Sequence, residues 1–311
     1  MLESKENSVK IEGILSEIGL ETGSYVKDGK TVEKIGGSIK VRVNQMLNGV
    51  ETELDIPVYM FANKLTNKGT PNPAYASIER VMSEYKSIAA VGIDAADRVR
   101  ITDANIRMNE YYGQGDKLNS YPRINASFVT KVTDISKYKP EASFSAIFAI
   151  GSMGYETDKD GVEVADRYKI RGIMPQYGGS VDVIDFFATS PNVIDAVSSY
   201  WEQGDTVKIN GKLNFTSKTE EKLVEVDFGE PRVERKTISV SELIITGGSQ
   251  TPLEGDFAFD MDEIQMALEA RQARLAELKT KAKAKAKAKD GKSAPKTAPK
   301  TAPKKAMDLG F

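Results

Sequence analysis

From Val9 to about Gly248 apolar and polar residues alternate with a period of two, in short runs bounded by clusters of Gly, Asp and Asn. Successive strand residues point to opposite faces, so this pattern dictates half-buried β-strands rather than helices. The clearest runs are Ile39–Val43, Glu53–Phe61, Arg98–Ile101 and Thr206–Ile209, each aliphatic on one face and charged or polar on the other. Only Pro73 to about Ile88 and Pro191 to about Trp201 interrupt them with helical spacing. Each opens on a cap residue followed by proline, Asn72-Pro73 and Ser190-Pro191, where the missing N–H of proline costs nothing at the first helical position.

The landmarks around the two helices recur in order. Gly23-Ser24-Tyr25, the turn Asp28-Gly29, a strand with Lys40 and Arg42, the Asn-Pro helix and Asp97-Arg98-Val99-Arg100-Ile101 form the first series. Gly151-Ser152, Tyr155, the turn Asp160-Gly161, a strand with Lys169 and Arg171, the Ser-Pro helix and Asp205-Thr206-Val207-Lys208-Ile209 form the second. Each series reads as three strands, one helix and two closing strands, the order of an OB-fold barrel. The expected fold is therefore mainly β, with two OB-like five-stranded barrels each carrying one helix, then a C-terminal helix and a disordered basic tail. The expected divisions are 1–138, 139–250, an acidic-aromatic linker and helix at 251–290, and a Lys/Ala/Pro tail at 291–311.

A helix ending in Gly204-Asp205, followed by Val207-Lys208-Ile209-Asn210-Gly211-Lys212-Leu213, resembles the entry to the fourth strand in OB-fold single-stranded DNA-binding proteins. Over residues 9–248 the chain resembles the tandem-OB single-stranded DNA-binding proteins of bacteriophages. That resemblance implies a ligand of single-stranded DNA, no cofactor, and a role in replication or recombination in the cytoplasm, of a host cell if the chain is phage-encoded.

Composition removes most catalysts. The chain has no Cys and no His, so thiolate metal sites, cysteine nucleophiles and imidazole-based triads are excluded. Asp158, Asp160 and Asp166 fall in a hairpin loop that lacks the length and distal glutamate of a calcium loop. An enzyme is not expected. Nor is a membrane protein, since no signal-like segment and no long apolar run is present.

A protein that holds a single strand needs cations along the backbone path and aromatic faces for the bases. In the first series the outward strand positions include Lys40, Arg42, Tyr59, Phe61, Arg98, Arg100 and Arg107, followed by Tyr111, Tyr112, Tyr121 and Arg123. In the second they include Arg167, Lys169, Arg171, Tyr177, Lys208, Lys212 and Lys218, with Tyr155 in the hairpin. Tyr111-Tyr112 stands out: neighbours in a strand face opposite ways, so one ring is exposed. Phe144, Phe148, Phe186, Phe187 and Phe215 are expected to fill the cores. The alternative is a structural or adaptor protein that uses the same barrels to bind protein.

The formal charge of −2 hides a division. From Lys279 onward eleven Lys face two Asp, a net +9 that leaves −11 for residues 1–278. An acidic body argues against indiscriminate phosphate binding and for a local basic groove. Met261, Ile264, Leu268, Leu275 and Leu278 form a narrow apolar seam interrupted by Arg271, expected to pack on the barrels. The Lys-Ala and Ala-Pro-Lys runs beyond it are too poor in apolar residues to build a core. Asp308 and Phe311 resemble the C-terminal tip of bacterial single-stranded DNA-binding proteins, which implies docking of replication or recombination proteins there.

Overall fold

In a computed structural model the described residues are 2–290 apart from 114, 115, 159 and 225–231, with the backbone alone at 216–224, 232–238 and 285–290. The Ala-Pro-Lys tail, Asp308, Phe311 and the side chain of Lys218 lie outside the described residues.

The alternating runs pair as antiparallel neighbours. The first half supplies β1 (Asn7–Lys27), β2 (Lys30–Leu47), β3 (Val50–Asn63), helices α1 (Pro73–Glu84) and α2 (Ile88–Val91), β4 (Arg98–Tyr112) and β5 (Leu118–Ala126). These strands close in the order β1-β2-β3-β5-β4-β1, and the two-residue β6 (Thr130–Lys131) adds to β4. The second half supplies β7 (Glu141–Thr157), β8 (Glu163–Pro175), β9 (Val181–Ala188), α3 (Pro191–Tyr200), β10 (Thr206–Val224) and β11 (Arg232–Gly248). It closes in the same order, β7-β8-β9-β11-β10-β7. In both barrels the third and fifth strands pair in parallel, Tyr59 opposite Asn125 and Phe187 opposite Ile244. The fold is thus mainly β, with two OB-like five-stranded barrels and a helix between the third and fourth strands of each.

Closure demands sharp bends. Register shifts between Leu15 and Glu17 and between Ile150 and Ser152 let each first strand turn from its second strand toward its fourth. Gly37, at φ 146°, sits so close to β1 that a Cβ would lie 2.0 Å from the carbonyl oxygen of Gly19. In the second barrel Phe148 and Phe186 stack at 4.6 Å and 6°, leaving no room for a side chain at Gly172.

The helices plug the barrel ends. Asn72 caps α1 by accepting from Ala74 N at 3.0 Å, worth about 1 kcal/mol, while Ile78 and Val81 turn inward. Ser190 has the extended cap backbone but makes no side-chain bond to α3, so proline alone starts that helix. The expected helix to Ile88 ends early, because Tyr85 is extended and its hydroxyl donates to the Val129 carbonyl at 3.0 Å. After each helix an aspartate repeats one geometry. Asp97 accepts from Lys86 N and Asp205 from Glu202 N, both at 2.7 Å.

Those bonds and the bulges align the halves and correct two sequence equivalences. Lys40 lies opposite Glu17 and Arg171 opposite Ser152, each just past a bulge, so Lys40 corresponds to Arg171 and Ser38 to Lys169. By the same register Leu20, not Tyr25, corresponds to Tyr155, because the first hairpin is longer. Phe144, Phe148, Phe186 and Phe215 fill the core as expected. Phe187 does not: it faces outward beneath Arg167.

The N-terminal halves of β1 and β7 pair antiparallel, Val9 opposite Phe144, and fuse the barrels into one eleven-stranded sheet. Buried Gln45 reaches across, donating to Leu213 O at 2.9 Å and accepting from Ala142 N at 3.0 Å. After Phe259, which is buried with Leu2, Ala149, Ile173 and Val181, helix α4 (Met261–Asp290) packs through Ile264 and Ala267. Met261, counted in the seam, is exposed. Arg271 does not interrupt the packing: with Arg274 it clamps Glu110 of β4, whose carboxylate is 1% exposed. Among the described residues no helix is long and apolar enough to cross a membrane.

Candidate nucleic-acid interface

The outward face of the first barrel is built by strand register. Ser38, Tyr59, Asn125 and Asn105 lie side by side across β2, β3, β5 and β4. One step along β5, Arg123 lies over the Tyr59 ring, 4.9 Å from its centroid. Further along, Tyr121 meets Tyr111 edge-on at 6.4 Å and accepts from Asn109 Nδ2 at 2.7 Å. On the other side of Tyr59, Phe61 is 56% exposed, with the Lys34 ammonium 5.9 Å from its ring. Partial burial pushes the Tyr59 hydroxyl above the ordinary phenol value, with Tyr121 adding to it and Arg123 opposing. A neutral hydroxyl therefore remains available as a donor.

These groups frame a cleft of about 520 Å³ lined by Gly37, Tyr59, Phe61, Asp103, Asn105, Arg123, Asn125 and Ser127. Of the sequence candidates, Tyr59, Phe61 and Arg123 line this cleft, and Tyr121 and Tyr111 meet beyond it on the same face. Tyr112 faces the other way, toward α4, with Lys279 5.9 Å from its ring.

Most of the other candidate cations are held by carboxylates. Register explains three of them, since Lys40 stands opposite Glu17, Arg42 opposite Asp55 and Arg171 opposite Asp185. Such cross-strand pairs are favourable, and their members bond at 2.6, 3.0 and 2.8 Å. Arg100 grips Glu12 and Lys208 pairs with Glu6, both at 2.6 Å. Arg107 stands opposite Arg123, a repulsive pairing relieved because Arg107 turns to Asp182 of the second barrel at 2.8 Å. Lys212 bridges the barrels through Met46 O at 2.8 Å, and Arg98 lies 5.5 Å from the Tyr138 ring.

The second barrel mirrors the first with a different outcome. Phe187 occupies the place of Tyr59, and Arg167 lies 4.7 Å from its ring centroid. Arg167, however, is bonded to both Glu156 and Glu242. Arg123 has no carboxylate partner among the described residues, and its Nε is buried without one. Lys169, opposite Phe187, also lacks a carboxylate partner among the described residues. Tyr155 packs edge-on against Tyr168 at 5.0 Å, and Tyr177 is 95% exposed in the turn after β8. A groove of about 460 Å³ separates the barrels, with Ser120 and Pro122 on one wall and Arg171 and Phe187 on the other.

Asp158 folds its own turn, accepting from Asp160 N and Val162 N at 2.9 Å. Among the described residues no cluster of carboxylates is placed to hold a metal.

Sequence reasoning passed over Lys34, Asp103, Asn105, Asn109, Asn125 and Ser127. A signal for two of these was present. Asn105-Ile106-Arg107 and Arg123-Ile124-Asn125 are mirror images, so antiparallel pairing sets Asn against Asn on one face.

Residues 5–281 match the family model described as YorF. No curated protein matches the chain. A solved structure similar to it is a deletion mutant of the single-stranded DNA binding protein from Thermus aquaticus. That likeness has 10% identity and a TM-score of 0.45, covering 81% of this chain and 97% of the other.

Proposed function

The chain belongs to the YorF family, and we propose that it is a non-catalytic protein that binds single-stranded DNA through sequence-tolerant contacts centred on its first barrel. The observation that carries this reading is Arg123 over Tyr59, free of any carboxylate among the described residues, between the exposed rings of Phe61 and Tyr111. Rings of this kind stack on any base, each stack contributing roughly 1–3 kcal/mol, while Arg123 and Lys34 meet phosphates. In an acidic body they form a local positive site.

Exposed rings among cations also serve protein-binding surfaces, so the alternative of an adaptor that binds protein through the same barrels is separated from this reading by the titration below. The resemblance of residues 204–213 to the fourth-strand entry of OB-fold single-stranded DNA-binding proteins supports a cytoplasmic role in replication or recombination. Asp308 and Phe311 are proposed as the docking point for replication or recombination proteins.

The test is a fluorescence titration of the full chain with labelled oligo-dT, oligo-U and a matched duplex at two salt concentrations. Single strands are expected to bind more tightly than duplex, with affinity falling as salt rises. Equal binding to single strand and duplex, or none to either, overturns the proposal. Preference for oligo-U over oligo-dT reassigns the ligand to RNA.

A further inference from the structure

The cleft beside Tyr59 holds more hydrogen-bonding capacity than stacking requires. Asp103, Asn105, Asn125 and Ser127 line it, and among the described residues their side chains have no hydrogen-bond or ion-pair partner. This departs from the rest of the surface, where the candidate cations are mostly matched to carboxylates across the strands. Asp103 and Asn105 flank the buried Ala104 at a register shift in the β1–β4 ladder, and both are exposed on the cleft side. On β2 the wall is Gly37, and beside it Gly36 stands opposite Phe61, where a Cβ would come 3.0 Å from the ring. The volume, about 520 Å³, falls in the range of small-molecule pockets.

A carboxylate that is unpaired repels phosphate, so the part of a nucleotide that enters here is the base. An ionised carboxylate only accepts, and it accepts two parallel bonds. Guanine alone among the DNA bases presents two adjacent donors on its pairing edge, N1–H and the N2 amine; beside them its O6 takes a bond from an amide. The other bases place an acceptor next to each donor, which would face the carboxylate lone pair against lone pair. Resting on the proposed single-stranded DNA binding, we infer that this cleft is a guanine-reading subsite. Asp103 accepts from N1–H and the N2 amine, the Asn105 or Asn125 amide donates to O6, and the base stacks beside Tyr59 and Phe61. The rest of the bound strand is held without regard to sequence.

The experiment is titration of the full chain with oligo-dT of one length, carrying at its centre dT, dG, dA, dC or deoxyinosine. The reading in each variant is the ratio of affinities to that for plain oligo-dT. The dG oligomer is expected to bind about tenfold more tightly, the discrimination of one bidentate edge contact. Deoxyinosine, which lacks the N2 amine, loses most of that gain. In both Asp103→Ala and Asp103→Asn the dG ratio falls to about one. Equal affinity for every oligomer overturns the inference and leaves the general reading standing, as does a dG preference that survives both substitutions. Failure of all oligomers to bind overturns both.

Discussion

Arg123 lies 4.9 Å from the centroid of the Tyr59 ring, and among the described residues it forms no ion pair with a carboxylate. At the matching place in the second barrel Arg167 covers Phe187 just as closely, but two glutamates hold it. The ring position is shared, but the cation comes from a different strand, Arg123 of β5 in the first barrel and Arg167 of β8 in the second, unpaired among the described residues in the one and held in the other.

Tyr59→Ala is expected to weaken oligo-dT binding by about 1–3 kcal/mol, roughly 5- to 150-fold, with little change in melting temperature. Arg123→Ala should lower the slope of log affinity against log salt by about one. Phe187→Ala should leave affinity near that of the parent protein. Titration alongside thermal melting decides the matter, and greater loss of affinity from Phe187→Ala than from Tyr59→Ala would move the site to the second barrel.

Tyr111 and Tyr112 are separated by the strand itself. Tyr111 is 48% exposed and meets Tyr121, whereas Tyr112 faces α4 and Lys279. Tyr111→Ala should weaken binding by a stacking increment. Tyr112→Ala should leave binding alone and speed tryptic cleavage within α4, since the helix loses a ring it rests on. Equal losses of DNA affinity in the two variants would contradict this division.

Glu12 gives the fold an acid sensitivity. Its carboxylate is 2% exposed and accepts from Arg100 Nε at 2.6 Å, Arg100 Nη2 at 3.0 Å and Lys139 N at 2.8 Å. The Arg100 bonds hold its pKa below the ordinary 4.5, against the opposing effect of burial and with help from Lys139 N. The unfolded chain therefore takes up this proton at higher pH than the folded one. The stabilisation is full above the ordinary glutamate value and is lost as pH falls through the depressed one. Glu12→Gln should melt lower near neutrality and lose less on acidification. Melting curves from about pH 7 to pH 3 that fall in parallel for both proteins would exclude this role.

The core of the second barrel is filled by the Phe148–Phe186 stack, which closes over Gly172. Phe186→Ala removes a ring stacked on Phe148 at 4.6 Å and should cost about 3–5 kcal/mol. Gly172→Ala places a methyl 2.6 Å from the Phe148 ring and should cost about 1–3 kcal/mol. Urea denaturation measures both, and a neutral Gly172→Ala would mean that the stack can shift.

What could be read from the residues was what local chemistry imposes. Period-two alternation specified strands, Asn72-Pro73 and Ser190-Pro191 marked the helix starts, and the recurring order of landmarks specified two barrels of one kind. Strand position also placed Tyr59 and one ring of the Tyr111-Tyr112 pair outward, because side-chain direction follows from the alternation itself; only the register decided that the outward ring is Tyr111. Which charges meet depends instead on register, which links residues distant in sequence. Asp55 answers Arg42 and Asp185 answers Arg171 only once the ladders form, and Asp182 reaches Arg107 only once the barrels join. Outward lysines and arginines therefore looked alike in the sequence, and pairing across strands and between barrels separated the committed ones from Arg123. The amides and carboxylate around the cleft stayed unread for the same reason: Asp103, Asn105 and Asn125 become neighbours of Tyr59 only through the closed order of β2, β3, β5 and β4.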